Sequence, residues 1–402
     1  MSKLALYGGS KVADQLTPWP LFDETDEAAL LETLRSRRWF RSEGAKNQEF
    51  ERLFADFCDA KYGLTVTNGT AALEIALSTL NLQKEDEVIV PSYTFYSTAS
   101  SVAFSGAKPV FADIDADNYN IDLDHFEELI NERTKAVIPV HFAGYPVDMD
   151  RLNAIARKKG IFVIEDSAHA HGASYKNRKV GSLCNVATFS FQASKNLTSG
   201  EGGILTTNDE NLYDKMYSRH TCGRHAGRPW YEHFEQGSNL RMTEFQAALL
   251  LAQFNRFEKQ FEERRQNGRI LEDWISQSPF FEQVQTPTFW SVDRSYHLFM
   301  FRYKPGVEGV LRTKFIEALN AEGVPTLGGY PYPLYKQPVY ENLTPPFGKP
   351  EYHSLCFPNV EKCCQETVWI SQNALLGGTE SSRKIISAFE KIIQNADELR
   401  NS

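Results

Sequence analysis

The middle of the chain reads Val186-Ala-Thr-Phe-Ser-Phe-Gln-Ala-Ser-Lys195-Asn-Leu-Thr-Ser-Gly-Glu-Gly-Gly203. It begins with a run typical of a β-strand, residues 187–191, and leads into a second apolar run, residues 204–207. Between the two runs one lysine stands among small and hydroxyl-bearing residues and is followed by three glycines. Glycine lets the backbone come close to a bound molecule, and hydroxyls supply hydrogen-bond donors. Taken alone, Lys195 could be an ordinary surface charge, since most lysines are exposed.

Two upstream segments bring the groups that would complete a cofactor site. Glu165-Asp166 follows the apolar run 161–164, and Asn68-Gly69-Thr70 connects a short buried run to an alanine-rich helix. A strand, a glycine turn and a helix in succession aim backbone N–H groups at an anion. Together with the lysine, these are the parts needed to hold pyridoxal phosphate. Each also has a plainer interpretation, because Asp166 and the turn could simply cap helices.

The same segments carry a family resemblance. Ser190-Phe-Gln-Ala-Ser-Lys195 with Gly200-Glu-Gly-Gly203, and Ile164-Glu-Asp-Ser-Ala-His-Ala-His-Gly172, resemble the signature of the DegT/DnrJ/StrS aminotransferases. The resemblance runs from about Thr17 to the last helix. That family is similar in fold to aspartate aminotransferase and aminates keto sugars and keto cyclitols. Several motifs in the right order are more specific than any one of them.

The pattern of the chain predicts an α/β fold. Continuously apolar short strands alternate with amphipathic helices, which indicates a mostly parallel sheet covered on both faces. The resemblance implies the type I fold of pyridoxal-phosphate-dependent transferases, with a seven-stranded sheet and a smaller C-terminal α+β domain. We expect an N-terminal arm over residues 1–20, a large cofactor-binding domain over 21–255 and a small domain over 256–402. One long helix, from Thr243 to about Trp274, would connect the two domains.

The resemblance also implies catalytic roles for three residues. Lys195 would bond to the aldehyde of the cofactor and later move a proton between the substrate Cα and the C4′ carbon of the cofactor. Asp166 would pair with the pyridine nitrogen, and His169 stands where the family carries glutamine or histidine close to the ring. His169 could also be an ordinary structural histidine.

Cofactor-binding residues follow from the same comparison. Phe95 would stack on the ring, although an aromatic after a turn is more often part of a core. Gly69, Thr70 and Ser190 would bind the phosphate. Asn239, in Gly237-Ser-Asn-Leu-Arg-Met-Thr-Glu-Phe-Gln246, would reach the phosphate of a neighbouring subunit, which implies a homodimer with shared active sites. Leu240 replaces the tyrosine usual in the family.

Bulk properties exclude several classes of protein. The 402 residues suffice for two domains, and 42% hydrophobic with 24% charged residues is ordinary for a globular protein. A net charge of −9 argues against a nucleic-acid partner or an anionic membrane surface. The six cysteines are scattered without a Cys-x-x-Cys spacing, so we expect neither a metal site nor a disulfide framework. No long apolar segment occurs near the amino terminus, and we expect a cytoplasmic protein.

The substrate side of the site is less defined by sequence. Residues 328–335 and Tyr296-His297 could face a polyol, or could equally form a packed aromatic loop. Arg41 or Arg241 is a candidate for binding the carboxylate of an amino donor. The segment 35–44 could be a solvated connector or part of the substrate entrance.

These observations predict a pyridoxal-phosphate-dependent aminotransferase. It would move an amino group from glutamate or glutamine to a keto sugar or keto cyclitol through pyridoxamine phosphate, and the motifs look closest to the cyclitol and aminohydroxybenzoate branch. A sugar dehydratase of the same fold would carry histidine in place of Lys195. An aminohydroxybenzoate-type synthase and a non-catalytic partner that binds the cofactor remain alternatives. A nicotinamide-binding protein is poorly supported, because no Gly-x-Gly-x-x-Gly follows a strand.

Overall fold

The computed structural model describes residues 3–286, 292–304, 309–342 and 352–400. Within these residues the chain forms fourteen strands and thirteen α-helices. The strands are β1 (Tyr62–Val66), β2 (Glu87–Pro91), β3 (Lys108–Ala112), β4 (Thr134–Val137), β5 (Phe162–Asp166), β6 (Ser174–Tyr175), β7 (Arg178–Lys179), β8 (Val186–Ser190), β9 (Gly203–Thr207), β10 (Phe281–Gln283), β11 (Val292–Asp293), β12 (Leu298–Tyr303), β13 (Thr326–Leu327) and β14 (Thr367–Ser371). The helices are α1 (Glu24–Ser36), α2 (Lys46–Phe57), α3 (Gly69–Ser78), α4 (Ser97–Phe104), α5 (Leu123–Leu129), α6 (Met149–Lys159), α7 (Glu210–His220), α8 (Glu244–Gln277), α9 (Arg312–Ala321), α10 (Val339–Asn342), α11 (Pro358–Glu366), α12 (Thr379–Gln394) and α13 (Ala396–Arg400).

Seven strands form the central sheet in the order β1-β9-β8-β5-β4-β2-β3. The pairs β8/β5, β5/β4, β4/β2 and β2/β3 are parallel, whereas β9 runs antiparallel to both of its neighbours. The predicted α/β class and the mostly parallel seven-stranded sheet are therefore confirmed. Because parallel strands end on the same edge of a sheet, the loops after β2, β5 and β8 meet there.

Each face of the sheet has its own apolar core. Along β2, Val88 and Val90 pack into one core with side chains of α3 and α4, while Ile89 packs into the other with side chains of α2, α5 and α6. Alternate residues of a strand point to opposite faces, so a strand covered on both sides must be apolar throughout. This explains why the central strands have no polar face in the sequence.

The N-terminal arm is bound to the C-terminal part of the chain. The carboxylate of Glu322 accepts hydrogen bonds from the backbone N–H groups of Ala5 and Val12, at 2.8 and 3.2 Å. Lys391 donates to the backbone oxygen of Ser10 at 2.7 Å and pairs with Glu322 at 2.8 Å. These contacts attach the beginning of the arm to the end of α9 and to α12.

A second sheet, in the order β10-β12-β14-β13, is antiparallel and packs with α9 and α12. The 34-residue helix α8 confirms the predicted long helix and contacts α1 and α2 as well as α12. The expected domain boundary at residues 255/256 lies inside this helix, and the division into domains stays a prediction. The sequence also predicts a proline-rich loop over residues 325–346. Its described part contains β13 and α10, and residues 343–346 lie outside the described residues.

None of the helices in the described ranges combines the length and the apolar character needed to cross a membrane.

Candidate active site

A cavity of about 960 Å³ lies at the edge of the central sheet where β5 and β8 end. Seven of the eight residues predicted to form the site line it together, although they are spread over more than a hundred positions of sequence. They are Gly69, Thr70, Phe95, Asp166, His169, Ser190 and Lys195.

Lys195 stands on the loop between β8 and β9. The loop is closed by its own backbone: Ala193 N–H donates to Gly200 O at 2.9 Å, and Ser199 N–H donates to Phe191 O at 3.0 Å. Burial of the ammonium group lowers the pKa of Lys195 to about 8, and the charge of Asp166 opposes this shift. A lysine with such a pKa is unprotonated in a useful fraction of molecules near neutral pH and can act as a nucleophile.

Asp166 ends β5 and is buried. Its Oδ2 accepts a hydrogen bond from Thr98 Oγ1 at 2.8 Å, and its Oδ1 accepts one from Ala168 N–H at 3.2 Å. Burial raises the pKa of Asp166, while these bonds and the charge of Lys195 lower it. The second partner of the carboxylate, Thr98, comes from α4 and was missed in the sequence, where nothing distinguished it from its serine and threonine neighbours.

His169 lies on the loop after β5 and is also buried. Its Nδ1 accepts a hydrogen bond from Ala143 N–H at 3.2 Å. Burial lowers the pKa of His169 well below its usual value, and the positive charge of Lys195 acts in the same direction. The imidazole is therefore neutral near pH 7.

The amino end of α3 forms a cradle for an anion. Asn68 caps the helix by accepting a hydrogen bond from Ala71 N–H at 2.8 Å, and the backbone N–H groups of Gly69 and Thr70 lie at the open end. A Cβ atom on Gly69 would lie only 2.8 Å from Cβ of Ser190. Glycine is thus required at this position because β8 and the start of α3 approach so closely.

Two aromatic side chains flank the cavity. Phe95, on the segment between β2 and α4, is 59% exposed and lines the opening. Trp19 arrives from the N-terminal arm, and its Nε1 donates to Ala193 O at 2.8 Å, two residues from Lys195. Trp19 is a site residue that the sequence did not indicate, because an irregular segment 176 positions from the lysine gives no local signal of proximity.

Asn239 is the one predicted site residue that does not line the cavity of its own chain. It is exposed and pairs by its backbone with Thr221. The neighbouring Leu240 does line the cavity. The predicted contact of Asn239 with a second subunit stays a prediction.

The suggestion that Arg41 binds a donor carboxylate is wrong. Its guanidinium is buried and donates to both carboxylate oxygens of Glu51, at 2.5 and 2.9 Å, and to Thr65 Oγ1 at 2.7 Å. Arg241 is also outside the cavity lining, where it stacks over Phe40 and donates to Thr221 Oγ1 at 3.2 Å. Neither arginine presents its charge to the cavity.

Residues 328–335 and Tyr296-His297 could either face a polyol or form a packed aromatic loop, and the structure shows examples of both. His297 and Tyr330 line the cavity. Tyr335 is buried and donates to Glu361 at 2.9 Å, and Tyr296 is buried with its hydroxyl donating to Glu272 at 3.0 Å. The first pair can face a ligand, and the second pair is structural.

The residues of the cavity fit pyridoxal phosphate. Lys195, whose pKa is lowered, and the buried carboxylate of Asp166 lie in the same cavity. The anion-binding start of α3 lies there too, at Gly69, where a Cβ atom would be too close to Ser190. The chain also matches the DegT/DnrJ/EryC1/StrS aminotransferase family over residues 20–390. The chain belongs to this family. It is a pyridoxal-phosphate-dependent aminotransferase, as the sequence predicts.

Individual relatives agree with this assignment. L-glutamine:2-deoxy-scyllo-inosose aminotransferase of Micromonospora echinospora is 34% identical over an alignment of 422 positions that covers 100% of both chains. The solved structure of 3-amino-5-hydroxybenzoic acid synthase is similar with a TM-score of 0.85 and 32% identity, covering 94% of this chain and 99% of the other. An aminotransferase of Psychrobacter cryohalolentis is similar with a TM-score of 0.84 and 29% identity, over 94% and 99% of the chains. The family and these relatives place the enzyme among the sugar and cyclitol aminotransferases.

Proposed function

We propose that this aminotransferase takes an amino group from glutamine or glutamate and transfers it to the ketone of a sugar or cyclitol. The transfer runs in two half-reactions, with pyridoxamine phosphate between them. Similarity to a glutamine-dependent 2-deoxy-scyllo-inosose aminotransferase over the whole chain supports glutamine and a cyclitol ketone. The two half-reactions suit one cavity that holds a single reactive amine.

The roles proposed for the residues follow from their positions. When bound, pyridoxal phosphate supplies an aldehyde that condenses with amines and a ring that withdraws electrons from the adjacent carbon. Asp166 would hold a proton on the ring nitrogen, and the start of α3 with Ser190 would bind the phosphate. Lys195 Nζ would take a proton from the donor carbon that carries the amino group and deliver it to the cofactor carbon that carried the aldehyde; in the second half-reaction it would move a proton in the opposite direction.

The observation that carries the proposal is the environment of Lys195. Its pKa is lowered to about 8 inside the cavity that also holds Asp166. A group that accepts and returns a proton works best when its pKa lies near the working pH. A lysine on the protein surface would stay protonated and could do neither step.

Two alternatives are less well supported. A dehydratase of this fold would lack the lysine that is present at position 195. A non-catalytic partner would not need an amine of lowered pKa. Similarity to 3-amino-5-hydroxybenzoic acid synthase keeps a synthase of that type as the second candidate function.

We further propose a homodimer in which Asn239 contacts the phosphate of the partner's site. Asn239 is exposed in the single chain and lies next to Leu240, which lines the cavity. A cytoplasmic location also remains part of the proposal.

Absorbance spectroscopy tests the proposed function. The purified protein loaded with pyridoxal phosphate should absorb visible light, and the Lys195→Ala variant should lose this covalent band. Glutamine or glutamate should bleach the band, and a suitable keto sugar or keto cyclitol should restore it. A band that no amino donor bleaches would exclude the proposed transamination.

A further inference from the structure

Two imidazole rings lie side by side in the wall of the cavity. His169 follows β5 and His297 precedes β12, and their ring centroids are 4.3 Å apart. Both side chains line the cavity and are more than 90% buried. His297 belongs to no predicted set of catalytic or cofactor-binding residues.

The hydrogen bonds of these two rings show which ring nitrogen carries the proton in each. Ala143 N–H can only donate, so Nδ1 of His169 accepts and the proton of the neutral ring is on Nε2. Asn196 Nδ2 donates to Ser295 O at 2.8 Å, which orients its Oδ1 toward Nδ1 of His297 at 3.0 Å. An amide oxygen can only accept, so Nδ1 of His297 carries the proton. The two rings therefore have opposite tautomers, and Nε2 of His297 is a hydrogen-bond acceptor.

Both rings remain neutral in this environment. Burial lowers the pKa of His297 well below its usual value, and its neighbours His169, Lys195, His171 and Arg264 act in the same direction. Protonation of Nε2 would place a further positive charge among these groups. Nε2 of His297 therefore stays unprotonated and remains a hydrogen-bond acceptor, while Nδ1 donates to Asn196.

The backbone holds the pair rigidly. Ala143 has a φ of 55°, in the left-handed region, and its carbonyl accepts a hydrogen bond from His297 N–H at 3.0 Å. Ser295 N–H donates to Gly144 O at 3.2 Å, and a Cβ on Gly144 would lie 2.0 Å from Ser295 Oγ. A turn of strained conformation thus fixes both rings, which is common where a side chain must be precisely positioned.

We propose that Nε2 of His297 accepts a hydrogen bond from a hydroxyl on the carbon next to the ketone of the substrate. Asn196, which follows Lys195 directly, is the positioning residue that keeps this nitrogen unprotonated. The inference rests on the proposed function and identifies how the enzyme recognises a keto polyol rather than a simple ketone.

The location of His297 supports this assignment. Lys195 and His297 line the same cavity, and Asn196, the residue after Lys195, contacts Nδ1 of the ring at 3.0 Å. A ketone whose carbon reaches the amine can therefore present its flanking hydroxyls to His297. His169 offers an N–H donor, whereas His297 offers an acceptor and therefore requires a donor from the ligand. In a keto sugar or keto cyclitol the donors are hydroxyl groups.

Pairs of ketones that differ by one hydroxyl test the contact, for example scyllo-inosose and 2-deoxy-scyllo-inosose. For each pair, kcat/KM is measured with the holoenzyme in wild-type, His297→Leu and His297→Gln forms. The wild type should prefer the ketone with the hydroxyl roughly tenfold, which is what one hydrogen bond between neutral groups contributes. His297→Leu should lose this preference for one pair, and His297→Gln, which keeps an acceptor at a similar reach, should retain part of it.

The outcomes of these kinetic measurements distinguish a failure of the His297–hydroxyl contact from a failure of the proposed function. Equal preferences in wild type and His297→Leu for every pair overturn the hydroxyl contact while leaving the transaminase intact. If the wild type reacts with no ketone at all, the proposed function fails and the hydroxyl contact fails with it.

A readout independent of turnover tests the role of Asn196. Nitrogen chemical shifts of labelled histidine distinguish a protonated from a bare Nε2, and the signal of His297 is identified by its loss in His297→Gln. We expect a bare Nε2 in the wild type and a mixture of tautomers in Asn196→Ala, with folding checked by thermal unfolding. A protonated Nε2 in the wild type would overturn the proposal.

Discussion

Thr98 Oγ1 donates a hydrogen bond of 2.8 Å to Oδ2 of Asp166, across 68 positions of sequence. The contact joins α4 to the end of β5 and fixes the carboxylate that faces the cavity. Because the carboxylate is buried, few other donors can stabilise its charge. Thr98 therefore affects the charge state of Asp166 as well as its orientation.

Replacing this hydroxyl should weaken cofactor binding. In Thr98→Val the pKa of Asp166 should rise further, because a hydrogen bond that favours the ionised form is lost. A bond to a charged group contributes about 1.5–3 kcal/mol, so we expect the Kd for pyridoxal phosphate to rise roughly tenfold or more. Fluorescence titration of the cofactor-free protein measures the Kd. Thr98→Ser, which keeps the hydroxyl, is the matched control, and an equal loss in both variants would contradict the role of the bond.

Lys195 should contribute to the stability of the cofactor-free protein a component that increases with pH in alkaline solution. The pKa of Lys195 is about 8 in the folded chain, against an ordinary value of 10.5. Between these two values the Lys195 amine is protonated in the unfolded chain and unprotonated in the folded one, so its contribution to the free energy of unfolding rises with pH. Urea unfolding across this pH range measures the slope. Lys195→Met retains the volume without the titrating group and should lack this contribution; the same slope in both proteins would show that Lys195 is not its source.

A methyl group at position 69 should disturb the anion cradle. In Gly69→Ala the new Cβ would meet Cβ of Ser190 at 2.8 Å, so either β8 or the start of α3 must move. Overpacking of this kind costs about 1–3 kcal/mol, and we expect lower thermal stability together with weaker binding of pyridoxal phosphate.

Removing the opposing side chain should separate these two effects. Adding Ser190→Gly to Gly69→Ala eliminates the close contact, so the double variant should regain much of the lost thermal stability, while the missing hydroxyl still weakens cofactor binding. If the double variant is no more stable than the sum of the single changes predicts, steric contact is not the cause.

Breaking the buried Arg41–Glu51 pair should destabilise the fold. Glu51 accepts hydrogen bonds from Arg41 and also from the N–H and hydroxyl of Thr65, at 2.6 and 2.7 Å. Glu51→Gln leaves the buried guanidinium without a counter-charge, and we expect a loss of about 3–5 kcal/mol in chemical denaturation. Asp124→Asn, which breaks an exposed pair with Arg151, should cost at most about 1 kcal/mol. Similar losses in the two variants would contradict this account.

The sequence by itself determined the parts that depend on local pattern. Continuous apolar runs specify strands buried on both faces, and the ends of such strands placed Asp166 and Lys195 at one edge of the sheet. The turn before α3 was also predictable from the sequence, since Asn68 caps the helix and glycine is required at position 69. These features are encoded within a few consecutive residues.

Only the tertiary structure decided which distant side chains meet. Trp19 donates to the lysine loop, and Glu322 and Lys391 bind the arm that precedes it. His297 is oriented by Asn196 from 101 positions away. The partner of Arg41 was also decided by tertiary structure: its guanidinium pairs with Glu51 and does not face the cavity. A hydrogen bond between distant residues depends on how elements pack, and that packing leaves no periodic signal in either segment.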